Sequence, residues 1–235
     1  MAQLSGTNQR QIILHAVLAG LTPLIPVPLV DDLVKSYFQR RMVRKLAAAH
    51  ARVLNHQDTE TFADDQDTGC LRGCLVTVLL LPLKAIFRKI FFFLEWKRAI
   101  DVVSHTYYQG FLIDYALAEN WLNWRSAQEI RGAIDEVLAR LNTSLIERAV
   151  KGVFYQSKSV LQNAARLLQN SLRRITRRPS QEEVAEVIES IQPEEEREVA
   201  GLVGQLENAI NKIPAEHFEQ LRLQLANRLF PPAKQ

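Results

Sequence analysis

The polar side chains best placed for acid–base chemistry lie between residues 101 and 119. Asp101 and His105 are one helical turn apart there, and Asp114 follows on the same predicted helix. General acid–base catalysis requires such groups to converge on one pocket, and helical spacing alone brings together only Asp101 and His105. We therefore interpret these residues as hydrogen-bonded core and surface groups. An enzyme that uses the His105 region is kept as a third hypothesis.

The sequence contains no motif for a metal, a nucleotide or another cofactor. Its five histidines lack the HExxH spacing of a zinc site, and neither a glycine-rich phosphate loop nor a GxSxG nucleophile elbow occurs. Cys70 and Cys74 are too few for a disulfide framework or a tetrahedral zinc site. We interpret them as buried thiols in a reduced compartment, with reversible acylation beside an apolar segment as the alternative. The sequence therefore predicts a non-enzymatic protein with no catalytic residue, metal or cofactor.

Charge is distributed unevenly over the 235 residues, whose formal net charge is +3. Residues 126–178 contain ten basic and four acidic side chains, a net charge of +6. Residues 179–235 contain five basic and eleven acidic ones, a net charge of −6. This asymmetry indicates either a partner with a negative surface or an acidic tail that folds back on the middle of the chain. We divide the chain accordingly into an apolar and basic helical domain, 1–178, and an acidic helical segment, 179–235.

A long amphipathic helix predicted over residues 143–177 carries most of the positive charge. Its apolar side chains follow one half of the helix, and basic side chains occupy the other half. A solvated surface of a core helix is the simplest interpretation, and contact with anionic lipid is the main functional one, since each Lys or Arg near such a surface adds about 1 kcal/mol. Nucleic acid is disfavoured, because base stacking requires exposed aromatic groups and Tyr155 is the main candidate. The basic face comprises Arg148, Lys151, Lys158, Arg166, Arg173 and Arg177.

Two apolar segments, 12–30 and 74–96, are the most distinctive feature of the chain. Three prolines, Pro23, Pro26 and Pro28, break the first segment, because proline lacks the amide donor and restricts the residue before it. The second contains the run 74–83, about half of the roughly 20 apolar residues that a membrane-spanning helix requires. Shallow or re-entrant insertion is therefore favoured over spanning.

Our leading hypothesis is a protein at the cytoplasmic surface of a membrane, which both apolar segments enter and in which cations contact anionic headgroups. The alternative is a soluble helical scaffold or oligomerising interaction protein that buries the same segments against each other or against a protein partner. The predicted membrane contacts are Leu24, Ile25, Leu29, Lys84, Phe87, Arg88, Lys89, Phe91, Phe92, Phe93 and Trp96.

The elements that position these residues are predicted to be helices nearly throughout. Abundant Leu, Ala, Arg, Gln and Glu and only nine glycines indicate an all-α, irregular multi-helix bundle. Its N-terminus is a proline-broken helical hairpin of two helices, over 9–21 and 29–54. Residues 55–68 form a polar loop with at most one short turn of helix. Further helices are expected to begin at Pro82, at the capping-box residues Ser126 and Ser180, and at Thr143, Pro193 and Pro214.

Overall fold

The structure of the protein, a computed structural model, describes residues 6–25, 31–63, 88–173 and 180–231, and within 88–93 it describes the backbone alone. No strand occurs within these ranges, so the predicted all-α fold class is confirmed. Two short 3₁₀ turns, Thr22–Leu24 and Trp121–Asn123, accompany the helices. The α-helices of the described ranges are α1 (Gly6–Gly20), α2 (Asp31–Ala49), α3 (His56–Ala63), α4 (Arg88–Ala118), α5 (Ala127–Ala139), α6 (Ser144–Gln156), α7 (Lys158–Leu172), α8 (Gln181–Ile210) and α9 (Ala215–Leu229).

Helix α1 lies at the centre of the bundle. It packs against α2, α4 and α8, and Ile12, Val17 and Leu18 are fully buried although they point in different directions around the helix axis. A helix that is apolar on most of its circumference is stable in water only when other elements surround it, and here three helices do so. The first half of the predicted hairpin is thus the centre of the protein core.

Residues 143–173 form two helices instead of the single one predicted. Helix α6 ends at Gln156 and α7 begins at Lys158, because Ser157 leaves the helical backbone conformation, with φ −110° and ψ 27°. Its buried hydroxyl donates a hydrogen bond to Oε1 of Gln205 on α8, over 3.0 Å. The change of direction allows both helices to pack their apolar sides against α8.

Residues 181–210, by contrast, form one helix where two were predicted. Pro193 lies inside α8, where its ring removes the hydrogen bond to the carbonyl of Glu189. Because Pro193 is exposed, that carbonyl faces the solvent side of the helix, where water can bind it. Apolar residues on both sides of the proline pack against the same core, and the helix continues through the proline.

The acidic segment folds back on the rest of the chain, and its described residues share one hydrophobic core with it. Helix α8 packs against α1, α6 and α7, and helix α9 packs against α4 and α5. Polar contacts connect α8 with α2: Nη2 of Arg41 lies 3.0 Å from Oε1 of Glu196, and Nη1 of Arg40 donates to Oε1 of Gln181 over 3.1 Å. At the other end, Arg228 of α9 pairs with Glu136 of α5.

The closest approach of α1 to α4 depends on Gly20. A Cβ atom at this position would collide with Cγ2 of Val103 and would lie 3.1 Å from the backbone oxygen of Ala99. We expect Gly20→Ala to lower the free energy of unfolding by about 1–3 kcal/mol, because overpacking forces the two helices apart. Urea denaturation measures this change.

Gly152→Ala provides the matched control on α6. A Cβ atom there meets nothing within 4 Å, so this variant should gain about 0.5–1 kcal/mol from alanine's higher helix propensity. Equal stability of Gly20→Ala and the wild type would contradict the close packing of α1 on α4.

Candidate functional site

The start of α4 packs against α6 through aromatic side chains. The ring centroid of Trp96 lies 5.8 Å from that of Phe154 and 6.2 Å from that of Tyr155. Trp96 and Phe154 are buried, whereas Leu94 and Tyr155 are 53% and 54% exposed. The residues of α4 at the end of the second apolar segment therefore share one region of the surface with α6.

The exposed side of α6 and α7 is basic. The other side of these helices buries Ile146, Val150, Leu161 and Leu168 in the core. Tyr155 lies one helical turn after Lys151 on the exposed side, so an amphipathic aromatic side chain interrupts the row of cations. Of the predicted basic residues, the structure places Arg148, Lys151, Lys158, Arg166 and Arg173 on the surface, and Arg177 lies outside the described residues.

Three predicted membrane contacts are instead packed in the protein. Ile25 is 6% exposed and Trp96 is 3% exposed, and Leu24 is partly buried against the same core. Leu24 and Ile25 lie in or next to the turn after α1, which packs against α4, and Trp96 packs against Phe154 of α6, so protein covers these side chains wholly or in part. In this structure the predicted lipid contact of these three residues is replaced by a position in or against the core.

The remaining predicted contacts lie outside the described side chains. Leu29, Lys84 and Phe87 fall outside the described residues. Five others belong to the first turns of α4, of which the backbone alone is described: Arg88, Lys89, Phe91, Phe92 and Phe93. Among the helices that the structure describes, none has both the length and the apolar character needed to cross a bilayer.

The predicted acid–base residues do not converge on one site. Asp114 is buried and pairs with His50, whose Nε2 lies 2.8 Å from Oδ1 of Asp114. Nδ2 of Asn8 donates to the same oxygen over 2.8 Å, so this cluster connects α1, the end of α2 and α4. Asp101 is exposed, on a different side of α4 from Asp114. Sequence spacing could not reveal His50, because 64 residues separate it from Asp114.

Within the described ranges, no group of three or more His, Cys, Asp or Glu side chains is arranged to hold a metal ion. Cys70 and Cys74 lie outside those ranges.

A second polar cluster, missed at the sequence level, lies between α1, α2 and α8. Its members are His15, Arg41 and Glu195, which are 1%, 7% and 0% exposed. Nη2 of Arg41 reaches Glu196, and Nδ1 of His15 bonds to the carbonyl oxygen of Gln11 over 2.7 Å. Among the described residues, no hydrogen-bond partner meets Nη1 of Arg41, Nε2 of His15 or either carboxyl oxygen of Glu195.

Burial keeps two members of this cluster uncharged at neutral pH. Loss of solvation raises the pKa of Glu195 to about 8, against the opposing effect of the Arg41 charge. Loss of solvation also lowers the pKa of His15 to about 4, and the charges of Arg41 and Lys45 act in the same direction. The cluster therefore holds a protonated carboxyl group and a neutral imidazole beside a buried guanidinium.

The burial of Glu195 had a detectable sequence signal. Apolar residues Val184, Ile188, Val199 and Leu202 follow one stripe of α8, and Glu195 occupies the position between Ile188 and Val199 at the same helical spacing. Treating Pro193 as a helix start placed Glu195 in an exposed first turn instead. Continuous periodicity across a proline is thus the better guide to burial here.

Comparison with known proteins leaves the function to be argued from the chain itself. No protein-family model, curated protein or solved structure matches this chain.

The raised pKa of Glu195 predicts how stability depends on pH. In the unfolded chain this carboxyl group ionises near its ordinary value of 4.5, whereas in the folded protein it keeps its proton up to about 8. Between these values the unfolded state binds fewer protons, so the free energy of unfolding contributed by Glu195 falls as the pH rises. His15 acts oppositely between about 4 and its ordinary value of 6.5.

We expect Glu195→Gln to remove the part of the pH dependence of the free energy of unfolding that comes from Glu195, and to leave the part that comes from His15. The stability of the variant relative to the wild type should increase from pH 4.5 to about 8 and then level off. Urea denaturation across this range measures the difference. Glu198→Gln changes an exposed carboxylate of the same helix and should show no such trend. A constant difference between Glu195→Gln and the wild type would show that Glu195 is ionised in the folded protein.

Proposed function

We propose that this protein is a non-enzymatic helical protein that binds the cytoplasmic surface of an anionic membrane. The apolar residues 74–93 supply shallow or re-entrant insertion, and the exposed basic side of α6 and α7 contacts lipid headgroups. Firm attachment of a peripheral protein takes two such signals, because either one alone binds weakly and reversibly. Residues 12–25 belong to the protein core and are no part of the proposed contact.

The contact of Trp96 with Phe154 and Tyr155 is the observation that supports this proposal most directly. It brings the start of α4, into which the apolar residues lead, beside the basic side of α6. The apolar residues can therefore insert into the membrane while the basic side of α6 contacts the headgroups, with the protein in a single orientation on the membrane. Tyr155, half exposed between cations, is a side-chain type enriched at the boundary between lipid and water.

The bundle also fixes the chain on both sides of the apolar residues. The carbonyl oxygen of Phe62, near the end of α3, accepts a hydrogen bond from Nε2 of Gln109 over 2.7 Å and another from Nη1 of Arg131 over 2.9 Å. On the other side Trp96 is buried in the core. Because both ends of the apolar segment are attached to the same helical bundle, they stay on the same side of the membrane. This arrangement favours re-entrant insertion over a membrane-spanning helix.

The alternative, a soluble scaffold or oligomerising protein, is favoured by the burial of the first apolar segment. Most side chains from Ile12 to Ile25 are buried within the described bundle, and Leu14 and Leu24 are partly buried against its core. If residues 74–93 pack against protein in the same way, no membrane contact is needed.

Flotation with lipid vesicles separates these two functions. We expect the wild type, without detergent, to float with anionic vesicles at low salt and to remain bound at high salt. The combined substitution Phe91→Ser, Phe92→Ser and Phe93→Ser should abolish the binding that survives high salt, because it removes the proposed inserting side chains. Combined Lys151→Gln, Arg166→Gln and Arg173→Gln should weaken binding at low salt alone, because salt screens charge.

Trp124→Ser is the matched control for loss of an aromatic side chain. Trp124 is 75% exposed and follows the other end of α4, so this variant should float like the wild type. Circular dichroism checks that each variant remains helical. If the triple phenylalanine variant floats undiminished at high salt, the insertion site is wrong. If the wild type itself stays unbound with every vesicle, the scaffold is the better function.

A further inference from the structure

A basic cleft of about 420 Å³ lies between the turn that joins α5 to α6 and one side of α9. We name it the α6–α9 cleft. Among the described residues that line it, none is acidic, and the polar side chains offer guanidinium, imidazole, amide and hydroxyl groups. The polar residues that line it include Arg140, Asn142, Ser144, Arg148, His217 and Gln224.

The neighbouring cleft shows why the absence of acidic side chains is informative. It shares Arg140 and Gln224 with the α6–α9 cleft and is also lined by Glu136 and Arg228. Those two side chains form an ion pair, so the positive charge of Arg228 is already compensated. In the α6–α9 cleft, Arg140 and Arg148 lie without a carboxylate among the lining residues, so the lining itself carries a net positive charge.

Helix geometry adds to this positive potential. Helix α6 begins at Ser144, so its first backbone amides and the positive end of its dipole lie at the cleft. The N-cap residue Thr143 forms no side-chain hydrogen bond to these amides, and its hydroxyl donates instead to the carboxylate of Glu147 in the first turn. The amide of Ser144 donates to Oδ1 of Asn142 over 3.1 Å. Nε of Arg148 donates to the carbonyl oxygen of Ser144 over 3.2 Å, which holds the guanidinium near the start of the helix.

His217 forms part of the opposite wall and is held in place by α4. Its Nε2 lies 2.8 Å from the hydroxyl oxygen of Tyr108, and the two rings pack edge to face with centroids 5.7 Å apart. Partial burial lowers the pKa of His217, so the imidazole contributes hydrogen-bonding capacity at neutral pH more than charge. The cleft thus combines two arginines with a fixed imidazole.

We propose that the α6–α9 cleft binds a phosphate monoester, either the headgroup of a lipid such as phosphatidic acid or a soluble compound. Guanidinium groups match phosphate oxygens in pairs of charge-assisted hydrogen bonds, and a monoester carries more negative charge than the diester of other anionic lipids. Arg148 belongs both to the cleft and to the basic side of α6. As a lipid site the cleft therefore rests on the membrane function proposed above, whereas binding of a soluble monoester does not.

The test uses the full chain with two probes. Isothermal titration calorimetry measures binding of glycerol 3-phosphate, the soluble headgroup of phosphatidic acid. Flotation compares phosphatidylcholine vesicles that contain phosphatidic acid with vesicles that contain the diester phosphatidylglycerol at equal surface charge. Combined Arg140→Gln and Arg148→Gln should weaken glycerol 3-phosphate binding by about tenfold or more, since two charge-assisted contacts are lost. Arg197→Gln, an exposed arginine of α8 outside both the cleft and the basic side of α6 and α7, should leave it unchanged.

The two probes distinguish the sources of the phosphate. Loss of both glycerol 3-phosphate binding and the preference for phosphatidic acid in the double variant supports a lipid headgroup. Loss of glycerol 3-phosphate binding alone supports a soluble monoester. If the wild type does not bind glycerol 3-phosphate, or if the double variant binds it as the wild type does, the proposal is overturned. In that case the protein can still float with phosphatidylglycerol vesicles. The cleft proposal can therefore fail while the proposed membrane function stands.

Discussion

The structure depends on the need to enclose α1. A helix that is apolar around most of its circumference loses the hydrophobic contribution to stability wherever it meets water. Helices α2, α4 and α8 therefore surround it, and the acidic segment, despite its charge, supplies one of the three. Two polar clusters mark the edges of this enclosure: Asn8 with His50 and Asp114, and His15 with Arg41 and Glu195.

This enclosure also determines what the surface offers. Helix α8 packs against α1, α6 and α7, its contacts with arginine side chains include those to Arg40 and Arg41 of α2, and the basic side of α6 and α7 stays exposed. The acidic helix α8 therefore does not cover the exposed basic side chains of α6 and α7. The start of α4 lies beside the exposed basic side of α6.

The sequence predicts much of the fold because its signals are local. The capping boxes at Ser126 and Ser180 begin α5 and α8 as predicted, since each hydroxyl and its glutamate partner lie three residues apart. The break at Ser157 was not predictable, because it depends on packing against α8 and on Gln205, 48 residues away. The predicted helix start at Pro193 is wrong for a related reason: apolar residues on both sides of the proline pack in the shared core, and α8 continues through it. The partners of the candidate site, Trp96 with Phe154 and Arg148 with His217, likewise meet only in the tertiary structure.

The enclosure of α1 by α8 has a consequence for synthesis on the ribosome. Helix α1 emerges first, and its cover is complete only when Ile210, the last residue of α8, has emerged. At about 5–20 residues per second, the interval between the two helices is roughly 10–40 s. During that time a strongly apolar segment is exposed on the nascent chain. Protection of α1 from aggregation during synthesis should therefore depend on the rate of translation and on chaperones that bind the nascent chain before α8 has emerged.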